Sequence, residues 1–91
     1  MSQPEKTNEP MITITIRTVD GETWTNEFNI HEPIKSILQK SLAHFGIQPA
    51  PGIVFHFLYE GRLLDESKTL EQEAVKTGST LVFGTEAQVG Q

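Results

Sequence analysis

Apolar and polar residues alternate with a period of two at the start of the chain. Ile12, Ile14 and Ile16 alternate with Thr13, Thr15 and Arg17. The residues are β-branched almost throughout, which predicts a half-buried strand over 11–19. Asp20-Gly21 is a hairpin turn signal, because glycine accepts positive φ cheaply. Thr23 to Ile30 then returns as a second strand, with Trp24, Phe28 and Ile30 on one face. Asn26 breaks that face. A buried asparagine needs a hydrogen-bond partner, so the pattern predicts a bend or bulge there.

The period then changes to that of a helix. Ile34, Ile37, Leu38, Leu42 and Phe45 form one apolar stripe, with Lys35, Ser36, Gln39, Lys40 and Ala43 on the other side. Pro33 suits the first helical turn, and Gly46 suits the position just past the end. Residues 48–52, Gln-Pro-Ala-Pro-Gly, forbid regular structure. Alternation resumes at Val54. Phe55, Phe57 and Tyr59 face the core, and His56, Leu58 and Glu60 face water. Glu60-Gly61 turns the chain into the short apolar segment Leu63-Leu64. After the polar loop 65–68, Thr69 and Gln72 have the spacing of a capping box. Leu70 and Val75 pin that turn to the core. Ser79 to Phe83 reads as the last strand, with Leu81 and Phe83 inward and Thr80 and Val82 outward.

These elements make an α+β domain, a four- to five-stranded mixed sheet packed on one long helix. The expected organisation is a disordered arm over 1–10, a folded domain over 11–84 and a flexible tail over 85–91. Ninety-one residues suffice for one small domain. The net charge is −5 and the seven Lys and Arg are scattered singly, which argues against binding to nucleic acid or to anionic lipid. There is no cysteine, so neither a disulfide framework nor a thiolate metal site is available. No secretory signal or membrane span is apparent, and the expected setting is cytoplasmic, as a monomer.

Catalytic chemistry finds no foothold. His31, His44 and His56 do not have the spacing of a metal motif, and each reads as a surface histidine. Asp65 and Glu66 are adjacent in a loop and cannot flank a substrate as an acid–base pair. No phosphate loop or nucleophile elbow is present. The expectation is a non-enzyme without metal or cofactor.

The stretch Phe57-Leu58-Tyr59-Glu60-Gly61-Arg62-Leu63-Leu64, with Asp65-Glu66-Ser67-Lys68-Thr69-Leu70 after it, resembles the ubiquitin family, whose fold is the β-grasp. Ser79-Thr80-Leu81, the hairpin at Asp20-Gly21, and the helix end at Gly46-Ile47 with its following proline match too. The resemblance implies a protein-binding face. On it the family's central exposed isoleucine is matched by Leu58, and its hairpin-loop leucine by Val19. Its exposed valine in the last strand is lost at Gly84, and Val82 stands where the family has a histidine. Arg17 and Arg62 fall on family lysines, while His56 and Glu86 replace arginines. The implied docking patch is Val19, Leu58 and Val82, edged by Arg17, His56 and Arg62.

The resemblance also raises conjugation. A modifier of this family needs a terminal glycine, so that its carboxylate can be activated in a narrow enzyme channel. Here the end reads Val89-Gly90-Gln91. Gly90 occupies the family's last glycine position, Val89 replaces the preceding glycine, and Gln91 lies beyond. Removal of Gln91 by a processing peptidase would expose Gly90 to an activating enzyme. Such ends resemble those of some bacterial ubiquitin-like proteins, and the Gly-Gln pair resembles the end of Pup-type modifiers. Of the family's lysine positions Lys40 is retained, Lys76 is one residue off another, and Arg62 takes the principal chain-forming one. This implies single attachment rather than chains. The expected role is a protein modifier joined through Gly90 after removal of Gln91; the alternative is a free-standing interaction domain binding partners non-covalently through the Leu58 face, and a third is a sulfur carrier.

Overall fold

The computed structural model describes residues 10–48 and 50–87. The arm over 1–9 and the tail residues Val89, Gly90 and Gln91 lie outside the described residues. Five strands and one helix follow in the order β1 (Met11–Arg17), β2 (Thr23–Asn29), α1 (Ile34–Phe45), β3 (Ile53–Tyr59), β4 (Arg62–Leu63) and β5 (Ser79–Ala87). The sheet order is β2-β1-β5-β3-β4. β1 and β5 run parallel and the other neighbours antiparallel, so the sheet is mixed as expected.

The alternation in β1 does what the sequence predicts. Ile14 and Ile16 are fully buried while Arg17 is exposed. The inner sheet face meets the α1 stripe, where Ile34, Ile37 and Leu38 are buried and Leu42 and Phe45 half-buried. Phe83 lies at the centre of the aromatic packing. Its ring stacks on Phe57 at 5.2 Å and meets Phe55 and Phe45 edge-on at 5.9 and 6.1 Å. Burying one such side chain contributes about 2–3 kcal/mol.

Three local readings change. First, β2 has no bulge. Its register against β1 is one-for-one from Met11↔Asn29 to Arg17↔Thr23. Asn26 is exposed on this edge strand, where water serves its amide, so nothing forces the backbone to bend. Second, Pro33 is the N-cap residue in an extended conformation rather than part of the first turn. It offers no side-chain cap. Instead the N–H groups of Ile34 and Lys35 donate to the carbonyls of Lys68 and Glu66 at 2.8 and 3.1 Å. The loop 65–68 therefore satisfies two of the donors that a helix start leaves unpaired. Third, β5 continues past Phe83 to Ala87. Ladder bonding to β3 needs only backbone groups, so Gly84 and Thr85 remain in the sheet although their side chains read as tail.

The capping box forms in both directions. The Thr69 N–H donates to Gln72 Oε1 at 2.9 Å, and the Gln72 N–H donates to Thr69 Oγ1 at 3.1 Å. It opens only a single turn, which ends at Ala74 with φ +59°. α1 ends at Gly46 with φ +69°, and the Ile47 N–H closes on Leu42 O at 2.9 Å. This is the left-handed helix exit that glycine favours.

Candidate functional site

Among the described residues, no helix lies on the outer face of the sheet. Strand register aligns one row of side chains across all five strands on this face: Leu63, Leu58, Val82, Arg17 and Thr23. Directly paired residues share a face, so the three apolar members are neighbours. Leu63 is 56% exposed, and Leu58 and Val82 are half-buried. The next row pairs His56 with Gly84. Behind Arg17, Thr80, Thr15 and Thr25 form a polar row, with the Thr15 and Thr25 hydroxyls 2.8 Å apart.

Gly84 and His56 fit one another. A Cβ on Gly84 would stand 3.1 Å from His56 Cδ2 and 3.5 Å from Leu58 Cδ1. The imidazole therefore leans over the bare glycine backbone and takes part of the room that a valine would fill. The apolar area lost at Gly84 is covered by a ring with a polar edge.

Val19 stands apart on the β1–β2 connection, two residues beyond Arg17. It is 78% exposed, the most exposed of the large apolar residues described. Thr18 holds the connection. Its N–H donates to Glu22 O at 2.9 Å, and its hydroxyl accepts from the Glu22 N–H at 3.1 Å. Gly21, at φ +94°, lets its own N–H return to Thr18 O. The turn thus presents Val19 outward beside the Arg17 end of the row.

Arg62 does not join this face. It pairs with Tyr59 across the Glu60-Gly61 corner and shares the inward side of β3. Its guanidinium lies 5.7 Å from the Tyr59 ring centroid. Nη1 donates to Glu73 Oε1 at 2.5 Å and Nη2 to Glu73 O at 2.8 Å. The second carboxylate oxygen of Glu73 accepts the Asp65 N–H at 3.0 Å. The Asp65 amide and then Arg62 hold the Glu73 carboxyl below the usual glutamate range. Ser67 does the same for Asp65, through its hydroxyl and its N–H. Arg62 is a strut of the β3–β4 corner.

Leu63 is the member of the row that the sequence reading passes over. Its signal was available: with Leu64 in the core at 2% exposure, alternation forces Leu63 to the other side. Among the described residues no group of three or more His, Asp or Glu side chains could hold a metal ion. No described helix is long and apolar enough to cross a membrane.

The model of the ubiquitin family matches residues 14–87, from the first buried isoleucine of β1 to the end of β5. This chain belongs to the ubiquitin family. Ubiquitin-family proteins are non-enzymatic. Among solved structures, a de novo designed protein based on ubiquitin matches with a TM-score of 0.73 at 27% identity, covering 89% of this chain and 95% of that one. A chain from a study of molecular mimicry of SUMO that promotes DNA repair matches with a TM-score of 0.70 at 15% identity, covering 81% of this chain and 90% of that one. The second likeness is one of fold. A comparison with curated proteins found no match.

Proposed function

We propose that this ubiquitin-like protein acts by docking other proteins non-covalently on its open sheet face. Leu58, Leu63 and Val82 form the apolar centre, with Val19, Arg17 and His56 at the edge. The observation that carries the reading is the cross-strand register that sets Leu63, Leu58 and Val82 side by side on a face that no described helix covers. Contiguous apolar side chains that reach the surface in this way commonly mark contact sites.

The test is site-specific photo-crosslinking in cells that make the protein. A benzophenone side chain at Leu63 should give light-dependent adducts, and one at Gln39 on the exposed side of α1 should not. Adding Leu58→Ala should suppress the Leu63 adducts, since removal of a central anchor costs about 2 kcal/mol of binding. Equal labelling from Leu63 and Gln39 would refute the reading.

A second reading is conjugation through Gly90 after loss of Gln91. It is favoured by the place of Gly90 at the family's last glycine, three residues after the end of β5. It predicts high-mass species that form without light and vanish in Gly90→Ala, together with an intact mass short of one glutamine. A full-length mass and no such species would remove it, and with it the sulfur-carrier role, which needs the same exposed glycine. The two readings are compatible, because a conjugated protein can also be read through its face.

A further inference from the structure

The two edges of the sheet are protected unequally. β4 is 2 residues long, so it offers another chain little backbone to pair with. β2 is 7 residues long and pairs with β1 one-for-one. It contains no proline, no lysine and no bulge, the devices that commonly keep an edge strand from pairing. Its one charged residue is Glu27.

Hydrogen bonds at either end of the β1–β2 hairpin fix which backbone groups of β2 are turned outward. The Thr18 N–H donates to Glu22 O at 2.9 Å, and the Ile30 N–H donates to Pro10 O at 3.1 Å. Backbone direction alternates along a strand, so the even-numbered residues of β2 turn their groups to β1. Thr23, Thr25 and Glu27 turn theirs away from the sheet. All three are exposed, as is Asn26 between them, so among the described residues no element covers this stretch of the edge.

We propose that β2 is the contact between two copies of this chain, paired antiparallel about a two-fold axis at Thr25. Thr25 then faces Thr25 of the second copy, and Thr23 faces Glu27. In this register each outward N–H and C=O of these residues meets a partner. Charge selects the same register. Pairing centred on Glu27 would set two carboxylates opposite one another, which is destabilising. Centred on Thr25, Glu27 lies beside Thr23 of the second copy, whose other neighbour on that face is Arg17. Arg17 of one copy and Glu27 of the other are then two strands apart, about 10 Å. Their long side chains can meet over the short Thr23, and the two-fold makes that pair twice. The assembly closes at two copies, because each chain has a single long edge and the contact uses it up. It joins both five-stranded sheets into one and places both Leu58 rows on the same side.

The test is sedimentation equilibrium of the full chain at up to about 1 mM, since a contact this small belongs among the weak ones. Wild type should show a monomer–dimer equilibrium. Thr25→Pro removes an outward N–H without cutting the β1 ladder, and should leave a monomer. Glu27→Arg and Arg17→Glu each set like charges across the two-fold, and each should weaken the dimer about tenfold. Mixed in equal amounts, these two variants should recover the wild-type affinity, because the mixed dimer again has opposite charges at both pairs. Both should fold, since among the described residues neither Arg17 nor Glu27 belongs to the core or to an ion pair. Three results would overturn the proposal: a wild type that stays monomeric throughout, a dimer that Thr25→Pro leaves intact, or a mixture no tighter than its components.

Discussion

Removing the Glu73 carboxylate tests how the β3–β4 corner is held. The Glu73 side chain is 11% exposed and the Arg62 side chain 49%. Glu73→Ala deletes the bond to Arg62 Nη1 and the bond from the Asp65 N–H, while the bond from Arg62 Nη2 to the Glu73 carbonyl survives. The ion pair is half in water, so its loss is discounted to about 0.5–1 kcal/mol. A bond from a backbone N–H to a charged acceptor is worth about 1.5 kcal/mol at the weak end of its range, which suits a site at the surface. The sum is about 2 kcal/mol, or roughly 10 °C in Tm for a domain of this size. Glu73→Gln, which keeps one acceptor, should lose about half as much, and Arg62→Ala, which gives up the ion pair together with the Nη2 bond to the Glu73 carbonyl and the contact with Tyr59, about 1–2 kcal/mol.

Urea titration followed by Trp24 fluorescence measures all three variants, and acid adds a second readout. The Glu73 carboxyl is held below its ordinary value in the folded state, by the Asp65 amide first and Arg62 next. On acidification the unfolded chain therefore takes up this proton before the folded chain does. The contribution is complete above the ordinary glutamate range near pH ~4.3 and is lost as pH falls through the lower folded value. Wild type should thus lose more stability than Glu73→Gln between neutral pH and about pH 3. A Glu73→Ala variant within about 0.5 kcal/mol of wild type, or identical acid slopes for wild type and Glu73→Gln, would refute the reasoning.

Two further substitutions follow from local geometry. Ser41 is fully buried in α1, and its hydroxyl donates to Ile37 O at 2.8 Å, an acceptor that the helix ladder already uses. Ser41→Ala should therefore leave stability unchanged or raise it by about 0.5 kcal/mol through helix propensity, and a loss above about 1 kcal/mol in a urea titration would contradict this. Ala74 sits at φ +59° on an exposed turn. Ala74→Gly should raise the unfolding midpoint by relieving about 0.5–1 kcal/mol of left-handed strain, and a lowered midpoint would show that the conformation is not strained.

Most of the frame was legible because local chemistry and tertiary structure agree. The β1 alternation, the α1 stripe, the Gly46 exit and the Thr69–Gln72 box each state in a few residues what the fold then does. The failures share a different cause. The extension of β5 to Ala87 depends on the backbone of β3, and Gly84 and Thr85 carry no side-chain signal of it. Asn26 was expected to bend its strand, but a strand on the sheet edge can hand a polar side chain to water. The Glu73–Arg62 strut joins residues eleven apart through a turn whose shape no periodicity announces. At the candidate site, the resemblance pointed to Leu58, Val82, Arg17 and His56, which the register gathers. It also carried over Arg62, which alternation sends to the other side, and it left out Leu63, which alternation brings in.

The place of β5 in the sheet has a consequence for how the protein is made. It is the last strand to be synthesised, yet it lies in the middle of the sheet, between β1 and β3. Until Ser79 and its followers leave the ribosome, the β1–β2 hairpin and α1 have no third strand beside Ile14 and Ile16. About fifty residues separate the end of β2 from the start of β5, which at ~5–20 residues per second is about 3–10 s of translation. During that interval the isoleucine row of β1 has an open edge of the kind that leaves incomplete chains prone to misassembly. Ribosome pausing between codons 70 and 78 should therefore lower the yield of folded protein more than pausing inside α1.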